Sequence, residues 1–520
     1  MCLKAGAQPD IKHSIYFKDK HCNEFLFHGG ICAMGHSNLN KYALVNRSVP
    51  NFDRECFFYK LNAQWDTVWS RRIGGSEEDM LYKMNELPNG NILLSGHTRS
   101  NDGDVWYGHN YSAGEIWMVE IDTMGTIIKG KTFGGGNGSE LNEVIISSDG
   151  YIYLAGSTIA NDYDFACLNY GSLDPSAWVA KYDTAFNKVW INMYVGNDGD
   201  GWATIKEINP NRLVVGYQTN STSFESDPGN AKGGNDLLVL YIDSNGTTLW
   251  KKRYGSSDDE GSRRCVVDTQ SKTIYFVGMS WAFPGTGGIG IPSGDITYKS
   301  GTAWIHIIDT LGNIKASKAY GAATKSTYID DAKWYNGSLY VFGESQGGGG
   351  DMDMPVGVNV GENAWIGIID SNANLVGKKT LTIDGSVYIY NSFIYNSDLY
   401  INTRMGTYTN PYKCDTSNLT QTFFNLGKAP LSISETEQSL IEFFTMSPNP
   451  GNQQLLIELS NKYKEHKGDL RIFTLEGKLI YSHSINNSIM IDCSQWPKGE
   501  YIVEVSLNNS KKQTKLFTKI

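Results

Sequence analysis

Short apolar runs that end near a glycine recur along this chain at an almost constant step. They read ICAMGHS, ILLSGHT, IYLAGST, LVVGYQT, IYFVGMS and LYVFGES, with glycines Gly35, Gly96, Gly156, Gly216, Gly278 and Gly343. A seventh copy, LYINTRM, places Thr403 in the same phase. A second run (IWMVEID, AWVAKYD, LLVLYID, AWIHIID, AWIGIID) closes on Asp122, Asp183, Asp243, Asp309 and Asp370. A third, VWSRRIGG, VWINMYVG and LWKKRYGS, keeps Trp69, Trp190 and Trp250 in step. Runs this short, rich in β-branched and aromatic residues, predict strands. Asn89-Gly90, Asp149-Gly150 and Asn336-Gly337 supply hairpin turns after the first strand of a unit, and D-T-x-G or D-S-N-G after the third.

Three series sharing one period predict a repeat. Four short strands in about sixty residues, seven times over, is β-propeller arithmetic, whereas tandem sandwich domains need roughly 100 residues each. Residues 11–425 are therefore expected to form a seven-bladed β-propeller. The segment IKHSIYFKDK before the first unit resembles a fourth strand and is expected to close the ring on the last blade, since an open ring leaves a sheet edge unpaired. The antiparallel order puts the first-to-second and third-to-fourth turns on one face. The other face receives the blade-to-blade loops and every long insertion, 99–115, 159–177, 220–235, 280–302 and 345–363. Long loops on a rigid scaffold are where function usually sits.

Composition agrees with strands and turns. The 520 residues hold 56 glycines, 30 tyrosines and 13 tryptophans, with only 19% charged residues, which excludes coiled coils, helical bundles and a disordered chain. The net charge of −10 argues against nucleic acid as a partner, and no apolar run is long enough to span a membrane as a helix. Eight cysteines are too few for a disulfide scaffold. One pair among Cys22, Cys32 and Cys56 could bridge in an oxidising compartment.

The loop-rich face collects acid. The blade-to-blade loops GGSEEDM, GNDGDGW, GSSDDEG and TYIDDAK bring Asp79, Asp200, Asp259, Glu260 and Asp331, and the long loops add Asp102, Asp104, Asp162, Asp164, Asp351 and Asp353. The Asp-x-Asp pairs Asp102/Asp104 and Asp162/Asp164 offer hard oxygen ligands for calcium; the same residue types also simply make turns. Trp106, Tyr107, Tyr111, Trp281 and Phe283 in those loops would suit stacking on sugars. G-x-S-x-G, H-E-x-x-H and P-loop signatures do not occur. No catalytic residue is singled out, no cofactor beyond calcium is implied, and binding is favoured over catalysis. The alternative is a polysaccharide hydrolase or lyase using paired carboxylates of this face.

The texture changes after Asn425. Residues 426–442 read as a linker, and 443–520 as alternating strands with turns at Glu476-Gly477 and Lys498-Gly499. This last part carries ten Lys/Arg against seven Asp/Glu, so it is +3 and the remainder −13. The Pro448-Asn449-Pro450 opening, the I-F-x-x-x-G-K core from Ile472 through Gly477 to Lys478, the G-x-Y-I-V strand with Gly499 and Tyr501, and the basic tail at Lys515 resemble the type A C-terminal sorting domain of the type IX (Por) secretion system of Bacteroidetes. Cys493 and Trp496 depart from the family's usual small or aliphatic residues. The resemblance implies a small Ig-like β-sandwich, recognition by the type IX translocon and its sorting peptidase, and a secreted or outer-membrane-surface location reached through the periplasm. Residues 1–7, MCLKAGA, read as the tail of a signal peptide, with a small-x-small site at Ala5-Gly6-Ala7. The expected protein is an all-β, exported binding protein whose partner is a glycan or a surface protein.

Overall fold

The computed structural model describes residues 31–35, 41–48, 54–62, 67–106, 114–166, 174–222, 233–281, 301–322, 325–335, 337–352, 363–381, 386–395, 398–406, 419–425, 444–447, 453–459, 467–474, 478–507 and 511–519. The chain falls into two units, 1–432 and 433–520. Residues 1–7, the proposed closing segment 11–20, the linker, Tyr107, Tyr111, Phe283, Asp353, Pro448, Asn449, Pro450 and Gly477 lie outside the described residues.

The first unit is all β, with one 3-10 turn at Tyr163–Phe165 among the described residues. Seven antiparallel sheets follow one another, each built from strands in chain order; six have four strands and the seventh, starting at Ser386–Tyr395, has three among the described residues. The first strands are Ile31–Gly35, Asp79–Glu86, Ser139–Ile146, Asp200–Asn209, Glu260–Asp268, Thr327–Tyr335 and Ser386–Tyr395. Each lies beside the first strand of the next sheet, and that of the seventh also lies beside that of the first. These are the inner strands of a β-propeller.

The apolar core lies between sheets rather than within them. One cluster joins Tyr275, Val277, Ile305 and Ile307 of the fifth sheet to Ile329, Val341 and Trp365 of the sixth. Another joins Leu93, Met118 and Phe133 of the second to Leu154, Trp178 and Tyr182 of the third. Burial of this kind, at about 25 cal/mol per Å² of apolar surface, is what holds neighbouring sheets together.

The W-x-x-x-Y/F-G runs are the fourth strands, and they clamp the next sheet's last turn. Trp190 Nε1 donates to Ser244 O at 3.1 Å and Trp250 Nε1 to Thr310 O at 3.0 Å. Two residues on, Asn192 Nδ2 reaches Gly246 O, Lys252 Nζ reaches Leu311 O and Arg71 Nη1 reaches Gly125 O, each at 2.8 Å. The turn itself is fixed by its leading aspartate: Asp243 Oδ1 accepts the amides of Asn245 and Thr247 at 2.9 Å.

The repeated glycine marks a close approach. In the second, third, fifth and sixth sheets Gly96, Gly156, Gly278 and Gly343 stand opposite Trp117, Trp178, Trp304 and Trp365 of the third strand. On their other side the inner strand bulges. A Cβ on these glycines would lie 2.0 Å from Met80 O, 1.9 Å from Glu140 O, 1.9 Å from Gly261 O and 1.8 Å from Tyr328 O.

Two expected registers are corrected. ICAMG, with Gly35, is the inner strand of the first sheet, and the second strand is Lys41–Ser48; the spacing coincided because both are short apolar runs. In the fourth sheet Gly216 is one residue out of register, and Tyr217, facing Leu238, fills the place held elsewhere by the glycine facing tryptophan.

The second unit has two sheets, Phe444–Ser447, Gln454–Leu459 and Ser488–Asp492 in one, and Leu479–Asn486, Lys467–Thr474, Gly499–Leu507 and Lys511–Lys519 in the other. Leu455 and Ile457 of the first sheet share a core with Leu470, Ile472, Val503 and Phe517 of the second. Cys493 is fully buried there, and Trp496 packs on Tyr501 with ring centroids 5.1 Å apart. Tyr501 is buried and donates its hydroxyl to Pro497 O at 2.7 Å. Lys478 is exposed, Gly499 has φ +151 and opens a strand, and Lys515 pairs with Val503.

Candidate functional site

The sheet-to-sheet loops and second-to-third loops do meet at one end of the strands. Asp104 N donates to Gly74 O at 3.1 Å, Asp164 N to Gly134 O at 3.2 Å and Asp351 N to Gly321 O at 2.9 Å, the same bond in three sheets. The aspartate side chains complete it. Gly74 N, Gly134 N and Gly321 N donate to Asp104, Asp164 and Asp351 at 3.3, 3.1 and 3.0 Å. The first aspartate of each pair holds the loop further along: Ser76 N reaches Asp102 Oδ1 at 2.7 Å and Gly136 N reaches Asp162 Oδ1 at 2.8 Å. Asp104 also pairs with Arg71 at 3.0 Å and Asp164 with Lys188 at 2.9 Å. Asp259 accepts the Asn235 amide at 2.7 Å. Among the described residues no group of three or more His, Cys, Asp or Glu gathers as a metal site.

Four of the acids expected on the exposed face are buried. Asp79 and Asp200 open their inner strands, as does Glu260, and all three are essentially fully buried. Thr98 Oγ1 and Gly75 N donate to Asp79 at 2.5 and 2.6 Å, and Gly196 N to Asp200 at 2.8 Å. Ser256 N and Oγ donate to Glu260 at 2.6 and 2.7 Å. Ser139 and Thr327 make the same tie with hydroxyls, to Thr158 and Ser345 at 3.0 and 3.2 Å. A position used alike in five sheets is scaffold. The fourth acid, Asp331, lies within the strand Thr327–Tyr335 rather than in a loop, where Ser392 N and Oγ both donate to it at 2.6 Å.

Burial sets the charge state of this scaffold. It raises Asp200 to about 6, against the hydrogen bonds from Thr219, Gly196 and Ser221. It raises Glu260 to about 7, with the Asp236 charge adding to the rise. Both groups fold more readily when protonated, so their contribution is whole below pH 4 and is lost as pH climbs through 6 and 7. Each is worth on the order of 3 kcal/mol, at about 1.4 kcal/mol per pKa unit. The melting temperature is therefore expected to fall between pH 5 and pH 8. Asp200→Asn with Glu260→Gln should flatten that slope, and an unchanged slope in the double variant would disprove the assignment.

Charges also line the inner strands. Glu143 is bonded to Lys206 at 3.2 Å and Arg264 to Asp331 at 3.4 Å. Burial alone would raise Glu143, but Lys206, Lys83 and Arg264 outweigh it and hold it at about 2. One layer nearer the loops, Arg263 pairs with Asp330 at 3.5 Å and lies over the Trp202 ring at 5.4 Å.

Aromatic side chains are exposed at the loop-bearing ends. Trp106 is 42% exposed, Tyr163 56%, Trp202 54% and Trp281 37%. Trp106 and Trp281 were expected from the sequence. Tyr163 and Trp202 were not: both adopt positive φ, 50° and 55°, which costs a bulky residue about 1–2 kcal/mol. The thiol of Cys56, one of the three cysteines considered for a bridge, is free and buried.

Residues 445–519 match the family model of the secretion system C-terminal sorting domain. No curated protein matches the sequence. Among solved structures, the β-propeller domain of the Trilobed protease from Pyrococcus furiosus is similar at 10% identity and TM-score 0.40, over 77% of this chain and 98% of that one. Kuenenia stuttgartiensis hydrazine synthase is similar at 13% identity and TM-score 0.42, over 73% and 91%. Trypanosoma rangeli sialidase, solved with the inhibitor DANA, is similar at 9% identity and TM-score 0.36, over 97% and 87%. The C-terminal segment is thus a sorting domain, which marks the chain as a type IX secretion substrate.

Proposed function

We propose that this chain is an exported seven-bladed β-propeller that binds a glycan or a surface protein through the aromatic side chains of its loop-bearing end, and that its C-terminal sandwich is the Ig-like module read by the translocon and its peptidase. The observation that carries the binding reading is a division of labour. The acids at that end are tied to backbone amides and hydroxyls, while Trp106, Tyr163, Trp202 and Trp281 remain exposed. Large exposed aromatic surface that contributes little to the core is the usual currency of recognition. The seven-blade count is supported by the seven inner strands lying side by side, the last against the first.

The full-length protein is expected to bind on a polysaccharide array or to outer-membrane proteins, at least tenfold more weakly as Trp106→Ala with Trp281→Ala. Release of reducing ends from the polysaccharide would instead establish the hydrolase reading. Binding untouched by the double variant would remove these loops from the site. Calcium at Asp102, Asp104, Asp162 and Asp164 rests on carboxylate chemistry alone; a melting temperature raised by millimolar calcium and restored by chelator is its test.

A further inference from the structure

The fourth sheet breaks the repeat at three coupled positions. Where its neighbours have a glycine facing tryptophan, it has Tyr217 facing Leu238. Elsewhere a Cβ at the glycine would strike the carbonyl of the second inner-strand residue at 1.8–2.0 Å. Tyr217 carries that Cβ, so the inner strand cannot keep the same path. Its bulge takes in two residues instead of one, Trp202 and Ala203, between Gly201 opposite Gln218 and Thr204 opposite Gly216. Ala203 takes the buried place, 1% exposed. Trp202, at the position where the other sheets bury Leu81, Leu141, Ser262 and Ile329, is turned outward with φ 55. Bulges re-aim side chains in just this way, and a strained exposed aromatic points to function rather than to stability.

We infer that Trp202, with Arg263 and Asp330 of the two following inner strands, is a stacking subsite for a neutral pyranose ring. This rests on the loop-face binding reading above. Arg263 lies over one face of the indole at 5.4 Å, and the ring, 54% exposed, offers its remaining apolar surface to the C–H face of a sugar. Beside it the Arg263–Asp330 pair, 3.5 Å apart, offers donors and acceptors together, matching hydroxyls that both donate and accept. The pair is electrically neutral, so it favours an uncharged hexose over a uronate.

The test is calorimetry of the full-length protein with neutral hexose oligosaccharides and with uronate oligosaccharides, alongside Trp202→Ala and Trp202→Leu, which keeps an apolar side chain without the aromatic plane. Neutral oligosaccharides should bind the unaltered protein and bind both variants at least tenfold more weakly, with the Trp202→Leu melting temperature no lower than the original. Three results would overturn the subsite: no neutral sugar bound, binding confined to uronates, or both variants binding as the original does. If sugar binding survives in both Trp202 variants but is lost in the Trp106→Ala/Trp281→Ala protein, the loop-face reading stands and this subsite alone falls.

Discussion

A chain ending at residue 442 should accumulate in the periplasm and vanish from the cell surface. The sorting domain spans 445–519, and its core is self-contained: the cluster from Phe444 to Phe517 draws only on residues of the second unit. The truncated protein should then melt like the first unit of the whole chain while failing to be displayed. Fractionation, with protease added to intact cells, reads the outcome directly. Surface display at the level of the complete chain would refute the assignment of export to this segment.

Gly343→Ala and Gly278→Ala should each destabilise the first unit by about 3 kcal/mol, the upper end of what overpacking costs. The new methyl would stand 1.8 Å from Tyr328 O or 1.9 Å from Gly261 O, both backbone atoms of a bulge that cannot swing aside. Gly337→Ala is the matched control. Its φ of +80 strains any other residue, but nothing lies within 4 Å of the new atom, so a loss of about 1 kcal/mol is expected. Denaturant titration of the first unit distinguishes them. Equal losses for Gly343→Ala and Gly337→Ala would mean that backbone conformation, not contact, holds these glycines.

The periodicity was legible because strands, hairpin turns and inter-sheet tryptophans each carry a local signature. Its phase was less so. Gly35 and Gly216 fit the spacing yet sit in other registers, since a glycine count cannot tell an inner strand from its neighbour or see a one-residue shift answered by Tyr217. The acids were misplaced for a related reason. One position separates the exposed loop residue Glu77 from the half-buried Glu78, and one more reaches the buried Asp79. Which of them is solvated depends on hydroxyls some twenty residues away, such as Thr98 and Ser100. Trp202 was silent in the sequence because its exposure follows from a clash on the adjacent strand, not from any motif of its own.

The tryptophan clamp gives the molecule a direction. Trp190 and Trp250 each reach forward to a carbonyl that only the following sheet supplies. Any fragment that stops after a whole number of units ends on a donor without its acceptor, so no partial array is finished at its C-terminal edge. Stability then accrues by nearest-neighbour coupling, as in a one-dimensional chain of repeats, and cooperativity should be greatest when the last unit arrives. A polypeptide delivered one unit at a time would remain incompletely satisfied until then.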